Sequence, residues 1–213
     1  MSLNKIFFTS DTHYGHSNIC SSTTSWSNSQ RCRDFPSLEA MNKAIVDGIN
    51  STVKAEDTLY HLGDWSFGGK GNIWEFRKQI NCKNIHLILG NHDHHIENNV
   101  WIKGLANTTQ KLFSSVQHYK EISVKYPNPS NPEGKYLKQK IILCHYPFGS
   151  WNHLSHESWN LFGHCHSSYN SVGKQLDIGI DNYYKLYNEY KPFSFEEIKL
   201  ILDKTSKVVV DHH

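Results

Sequence analysis

Three short apolar runs, Ile6-Phe7-Phe8 and the stretches at residues 59–62 and 85–89, each stop at a polar turn that carries an acid or an amide. The first enters Ser10-Asp11-Thr12-His13, the second Gly63-Asp64, and the third Gly90-Asn91-His92-Asp93. Runs of this length, bounded by turn residues, read as buried strands. Between them the apolar spacing turns helical. Ser37 can cap a helix through Leu38, Met41, Ile45 and Ile49, and residues 72–81 read as a second helix. Strand, helix, strand in repetition predicts parallel pairing and an α/β layer arrangement. Strand ends in such a sheet gather distant parts of the chain into one crevice.

The texture changes further along. Residues 121–126 and 136–143 alternate like antiparallel strands around the Pro- and Asn-rich turn at 127–134, so mixed sheets are expected. Short strands are expected at 160–162 and 176–180, Ser194 and Glu197 form a capping box, and 208–210 is a candidate edge strand. Residues 20–34, rich in Ser, Thr and Asn, read as a long loop of the functional kind. No repeat or linker divides the chain, so residues 1–213 are read as one domain.

Composition narrows the partners. The net charge is +2 with Lys and Arg dispersed, whereas a chain that grips long nucleic acid shows a basic stripe, so small substrates are favoured. No apolar run approaches the ~20 residues of a membrane span. The apolar start is too short for a signal peptide, and the five cysteines are scattered without paired spacing. A soluble, cytoplasmic protein with reduced thiols is the expectation. The unusual feature is fifteen histidines, of which His212 and His213 read as a tag remnant.

Several histidines join the acids in five motifs: Asp11-Thr12-His13, Gly63-Asp64, Gly90-Asn91-His92-Asp93, Cys144-His145 and Gly163-His164-Cys165-His166. Where Asp11 and His13, or His164 and His166, lie in extended backbone, strand alternation turns both members to one face. Carboxylates, neutral imidazoles and one amide carbonyl suit divalent Mn, Fe or Zn. Two such ions about 3.5–4 Å apart clamp a phosphate and hold a bridging hydroxide for in-line attack, which points to phosphoester hydrolysis.

In this order, and with Gly63, Gly90 and Gly163 in place, the motifs resemble the signature of the calcineurin-like metallophosphoesterase family, across residues 11–166. Residues 10–16 resemble most closely its small stand-alone bacterial and phage members. The resemblance implies a four-layer αββα sandwich of two mixed sheets with helices outside. It also implies two divalent ions, with Asp11, His13 and His166 on the first, Asn91, His145 and His164 on the second, and Asp64 bridging. His92 then stands beside the leaving group as general acid or stabiliser, which makes His92 and Asp64 the catalytic pair. The implied substrate is a phosphomonoester or small phosphodiester of the nucleotide or cyclic-nucleotide type.

Other residues carry two readings. His16, Arg31 and Trp151 are candidates for substrate contact, and Arg33 and Trp26 are similar wagers in the long loop. A buried Trp is more often packing, which weighs against Trp151 and Trp159, and a solvated loop is the ordinary fate of the arginines. Asp93, His16, His94 and His95 adjoin motifs and can support metal ligands. His61, His86 and His118 read as hydrogen-bonded side chains without a site role. Two rival functions remain: a nuclease acting on DNA or RNA ends, and a non-catalytic binding scaffold. The intact Asp11, His92 and His166 count against the scaffold.

Overall fold

The computed structural model describes residues 4–28, 32–96, 112–131, 133–134 and 136–208. Two mixed sheets form the frame. In the first, β1 (Ile6–Thr9), β2 (Thr58–His61), β3 (Asn84–Ile88) and β4 (Ser115–Gln117) run parallel, and β9 (Phe193–Ser194) pairs antiparallel with β1. The spatial order is β4-β3-β2-β1-β9. The second sheet has the order β5-β6-β7-β8, from β5 (Tyr119–Tyr126), β6 (Leu137–Cys144), β7 (Trp159–Phe162) and β8 (Gln175–Asp177). Its β5–β6 pair is an antiparallel hairpin, while β6, β7 and β8 are parallel.

Strand alternation divides the core. Phe7, Leu59, Ile85 and Leu87 face one way, onto α1 (Leu38–Thr52) and α2 (Lys70–Gln79), where Met41, Ile45, Ile49 and Phe76 are buried. Their neighbours Phe8, Tyr60 and Ile88 face the other way and meet Ile141, Leu143, Leu161 and Leu176 of the second sheet. The two sheets therefore pack face to face. Phe195, Ile198 and Leu202 of α4 (Phe195–Leu202) join this inter-sheet core. On the outer face of the second sheet, Ile142 packs with Trp151, Leu154 and Phe148. No helix among the described residues is long and apolar enough to cross a membrane.

Local signals placed the helices well where they were polar. Ser37 Oγ accepts from Ala40 N at 3.1 Å, and at α4 the Ser194–Glu197 capping box forms in both directions. The strand expected at 176–180 is shorter, ending at Asp177, and Ile180 instead begins α3 (Ile180–Tyr187). Its sequence, rich in tyrosine, lacks a capping side chain. It starts instead because Ile180 N donates to Ser10 O at 3.1 Å, a tertiary contact. Val208 is not in a strand, and residues 209 and 210 lie outside the described residues. In the long loop, Arg33 N donates to Ile19 O at 2.7 Å and Ser21 N to Arg33 O at 2.9 Å.

Candidate metal centre

Five strands deliver the motifs. Parallel β1, β2 and β3 end just before Asp11, Asp64 and Asn91, and the adjacent parallel β6 and β7 end just before His145 and His164. Hydrogen bonds then tie the strand-end loops together. Asp11 N donates to Gly63 O at 2.9 Å and His13 N to Asp64 O at 3.0 Å. His164 N donates to the Asp11 carboxylate at 3.0 Å, which brings the two sheets to one point.

The side chains form two compact groups. Asp11, His13 and His166 place one potential ligand atom each within 4.8 Å of one another, and so do Asp64, His145 and His164. Asn91 Oδ1 joins the second group, 3.1 Å from His145 Nε2 and 3.0 Å from His164 Nδ1. Asp64 Oδ2 lies between the two groups, 3.5 Å from His13 Nε2 and 3.6 Å from His145 Nε2. All seven residues expected to bind metal from the sequence thus converge.

Their backbone corrects one expectation. Asp11, His13, His164 and His166 are not extended: their φ angles are 55°, 49°, 67° and 45°, and that of Asp64 is 56°. Left-handed backbone costs an L-residue about 1–2 kcal/mol, and strain of this kind collects at functional sites. It turns the chain at each ligand: His164 and His166 go to different groups, while Asp11 and His13, with similar φ angles, share one. Close packing explains the glycines. A Cβ on Gly63, whose φ is +94°, would meet Gly90 N at 2.5 Å and His145 Nδ1 at 2.7 Å, and one on Gly163 would meet Asp11 Oδ2 at 2.6 Å.

The donor set fits divalent metal. Both ring nitrogens of His13 are buried without a hydrogen-bond partner. Such a loss is costly unless another ligand satisfies them. Burial lowers the His13 pKa well below its ordinary value, with the nearby His166 and Arg33 acting in the same sense, so the ring is neutral and its lone pair available. Burial likewise pushes the Asp11 carboxyl up to about 7. His164 is lowered too, by burial and then by His145.

Supporting contacts surround the groups. Asp93, an expected support, accepts from Asp64 N at 2.8 Å, Trp65 N at 3.0 Å and Gly90 N at 2.8 Å, fixing two ligand turns at once. His145 Nδ1 is 2.7 Å from Leu62 O, which leaves Nε2 for the centre. His166 Nδ1 is 2.6 Å from Asp181 Oδ2, and Asp181 is in turn held by Arg33 through Nε at 2.7 Å and Nη2 at 2.8 Å. The same guanidinium donates to Asp11 O at 2.6 Å and Thr12 O at 2.9 Å. Although burial raises the Asp181 pKa, Arg33 and His166 outweigh it and hold the carboxyl far below the usual range. Burial opposes a proton on His166, and the bond to Asp181 with the charges of Asp11 and Asp181 outweighs that, so its pKa rises.

This geometry revises several substrate-contact candidates. Arg33 is buried, and its guanidinium is spent on Asp181 and two carbonyls, so it does not hold a phosphate. Trp151 is buried beneath the second sheet with Nε1 donating to Ser158 O at 3.1 Å, and Trp159 stacks on Phe195. Neither is free to stack on a base. Arg31 lies outside the described residues. His16 does adjoin the centre, its ring 5.2 Å from that of His13 and stacked on Phe67 at 4.0 Å. The half-buried His92 donates its backbone N–H to Asp64 Oδ1 at 3.0 Å and presents its ring 5.4 Å from His13. His94 and His95 are exposed and pack on each other. His61 bonds Thr12 Oγ1 at 2.9 Å, and His86 Nδ1 lies 2.7 Å from Ser115 Oγ. The Arg33–Asp181 pair was missed because 148 residues separate its members and neither sits in a motif.

The chain is similar to known proteins along nearly its whole length. Residues 4–213 match the sequence profile of calcineurin-like phosphoesterases. An uncharacterized protein from Methanocaldococcus jannaschii is 26% identical over 218 residues, spanning 98% of this chain and 97% of its own. The crystal structure of a protein of unknown function from Aquifex aeolicus superposes with a TM-score of 0.55 at 22% identity, over 93% of this chain and all of that one, a likeness of fold.

Proposed function

The chain belongs to the calcineurin-like phosphoesterase family, and on that premise we propose that it hydrolyses phosphomonoesters or small phosphodiesters of the nucleotide or cyclic-nucleotide type at a pair of divalent ions. The observation that carries the pairing is Asp64 Oδ2, within 3.6 Å of a ligand nitrogen in each group. Asp11, His13 and His166 would hold one ion, Asn91, His145 and His164 the other, and Asp64 both. When bound, such a pair supplies Lewis acidity that activates water near neutral pH and neutralises charge on phosphorus for in-line attack. Mn, Fe and Zn all suit these oxygen and nitrogen donors.

The chain's own contribution is orientation and proton handling. Leu62 O and Asp181 each fix the outer nitrogen of a histidine, which sets the tautomer that faces the centre. His92, beside His13 and anchored to Asp64 through its backbone, is placed to stabilise or protonate the leaving oxygen. The five cysteines, all free, support a cytoplasmic setting.

Chelation should abolish hydrolysis of p-nitrophenyl phosphate or its bis-ester, and re-addition of Mn, Fe or Zn should restore it with about two ions per chain by elemental analysis. Turnover that survives complete metal removal would overturn the reading. An oligonucleotide cleaved as fast as a mononucleotide ester would favour the nuclease instead.

A further inference from the structure

The ligand groups border a cleft of about 630 Å³. His164 of one group and His166 of the other both lie on its lining, so anything seated there is continuous with the centre. That volume falls within the range that encloses a small organic ligand. Its remaining walls are rich in rings: Trp26 from the loop after the first motif, Tyr184 from α3, and Tyr190 just beyond.

Two of these rings are exposed to water. Trp26 is 46% exposed and Tyr184 41%. Both are nonetheless held in place. Trp26 N donates to Thr24 Oγ1 at 3.1 Å, Ser25 N and Oγ both donate to Asn18 Oδ1 at 3.0 Å, and the indole stands edge-on to His16 at 5.9 Å. Tyr184 stacks on Tyr190 at 4.5 Å, and Tyr190 is backed by Phe35 at 5.2 Å and by the Arg33 guanidinium at 6.0 Å. Rigid rings exposed beside a phosphoryl-handling centre are stacking platforms of low entropic cost.

Charge on the lining narrows the guest. Among the described lining residues the one cation is Arg33, already engaged by Asp181, Asp11 O and Thr12 O, while Asp34 adds a carboxylate. Among these described residues a second phosphate would find no free guanidinium or ammonium. We propose that this cleft receives the planar, uncharged ring of the ester's organic arm, a nucleobase or an aryl group, between Trp26 and Tyr184. The inference rests on the preceding reading, in which the phosphoryl group lies at the metal ligands.

The test uses methylenephosphonate analogues, whose carbon bridge resists hydrolysis, of adenosine 5′-phosphate, phenyl phosphate and ribose 5-phosphate. Each is titrated calorimetrically into the manganese-loaded full chain. The ring-bearing analogues should bind at least about tenfold more tightly than the ribose analogue. Adenine well ahead of phenyl identifies a nucleobase, and parity between them an aryl group. Trp26→Ala and Tyr184→Ala, both at exposed positions, should erase the advantage and leave the affinity of the ribose analogue unchanged. Equal affinities for all three analogues, or an advantage that survives both substitutions, would overturn the proposal. Failure of the ribose analogue to bind at all would strike the phosphoryl site itself, so the two readings fail separately.

Discussion

The two ligand groups use similar side chains and are held in opposite ways. Asp11, His13 and His166 form the sealed group: Asp11 and His13 are buried, and the buried Arg33 reaches both Asp11 O and, through Asp181, His166. One guanidinium thus joins distant parts of the chain at a single group. Asp64, His145 and His164, with Asn91, form the open group: Asp64 and His145 are buried, His164 and Asn91 are exposed, and the bracing comes from a neutral carbonyl, Leu62 O behind His145. A carboxylate behind an imidazole raises its basicity, as a carbonyl does more weakly, so the sealed group should grip its ion harder. Both groups reach the cleft, one through His166 and the other through the more exposed His164.

The contrast breaks most severely at the residue both groups share. Asp64→Ala should lower hydrolysis by about 10³-fold or more, several kcal/mol of transition-state stabilisation, and reduce metal content at both sites. Retention of two tightly bound ions would show that the groups do not share a ligand. Next in size is Asp181→Asn, which removes the charge behind one group alone. Calorimetric titration should then show one of two ions weakened by about 10–100-fold and the other unchanged. Equal weakening of both would mean that the groups are braced as one unit. The variant should also lose stability, by about 3–5 kcal/mol at most, because Arg33 keeps its burial and loses its counter-charge.

The smallest effect is read from protons. Asp11 in the folded chain titrates at about 7, above its ordinary value of 3.8, through burial. The folded chain therefore keeps a proton that the unfolded chain has lost, so stability of the chelated protein should fall as pH rises from about 4 to about 7 and level off above that. Metal must displace this proton. Calorimetry in buffers of different ionisation enthalpy should show proton release on metal binding near pH 6 that fades above about pH 8. No dependence on buffer would show that Asp11 already carries its charge before metal binds.

Much of this was legible in the sequence because strand ends are marked locally. An apolar run that stops at Gly-Asp or Gly-Asn-His announces both the element and the turn, so β1, β2, β3 and the parallel order were within reach, as were the convergent residues of the five motifs. Short elements were not. The three residues of β4 and the two of β9 carry too little pattern to register, and α3 is set by a contact with Ser10 O. The loop arginine was misjudged for a related reason. Its composition is that of solvated chain, and only the fold reveals that Arg33 is buried against Asp181.

What the sequence determined by itself was the inventory: which acids, amides and imidazoles could serve, and that glycines must flank them. The motif resemblance already implied their allocation, and tertiary structure decided the backbone that achieves it. His164 and His166 are two residues apart, and extended backbone would have turned them to one side. Left-handed φ angles turn the chain at both, as they do at Asp11 and His13, at a local cost that only the surrounding packing and hydrogen bonds can offset, and the segments packed around them set which group each joins. Arg33 and Trp26, neighbours in one loop, were likewise given opposite fates, one sealed behind the centre and one left exposed on the cleft. Burial depends on what distant segments pack against a side chain, and no local pattern encodes that.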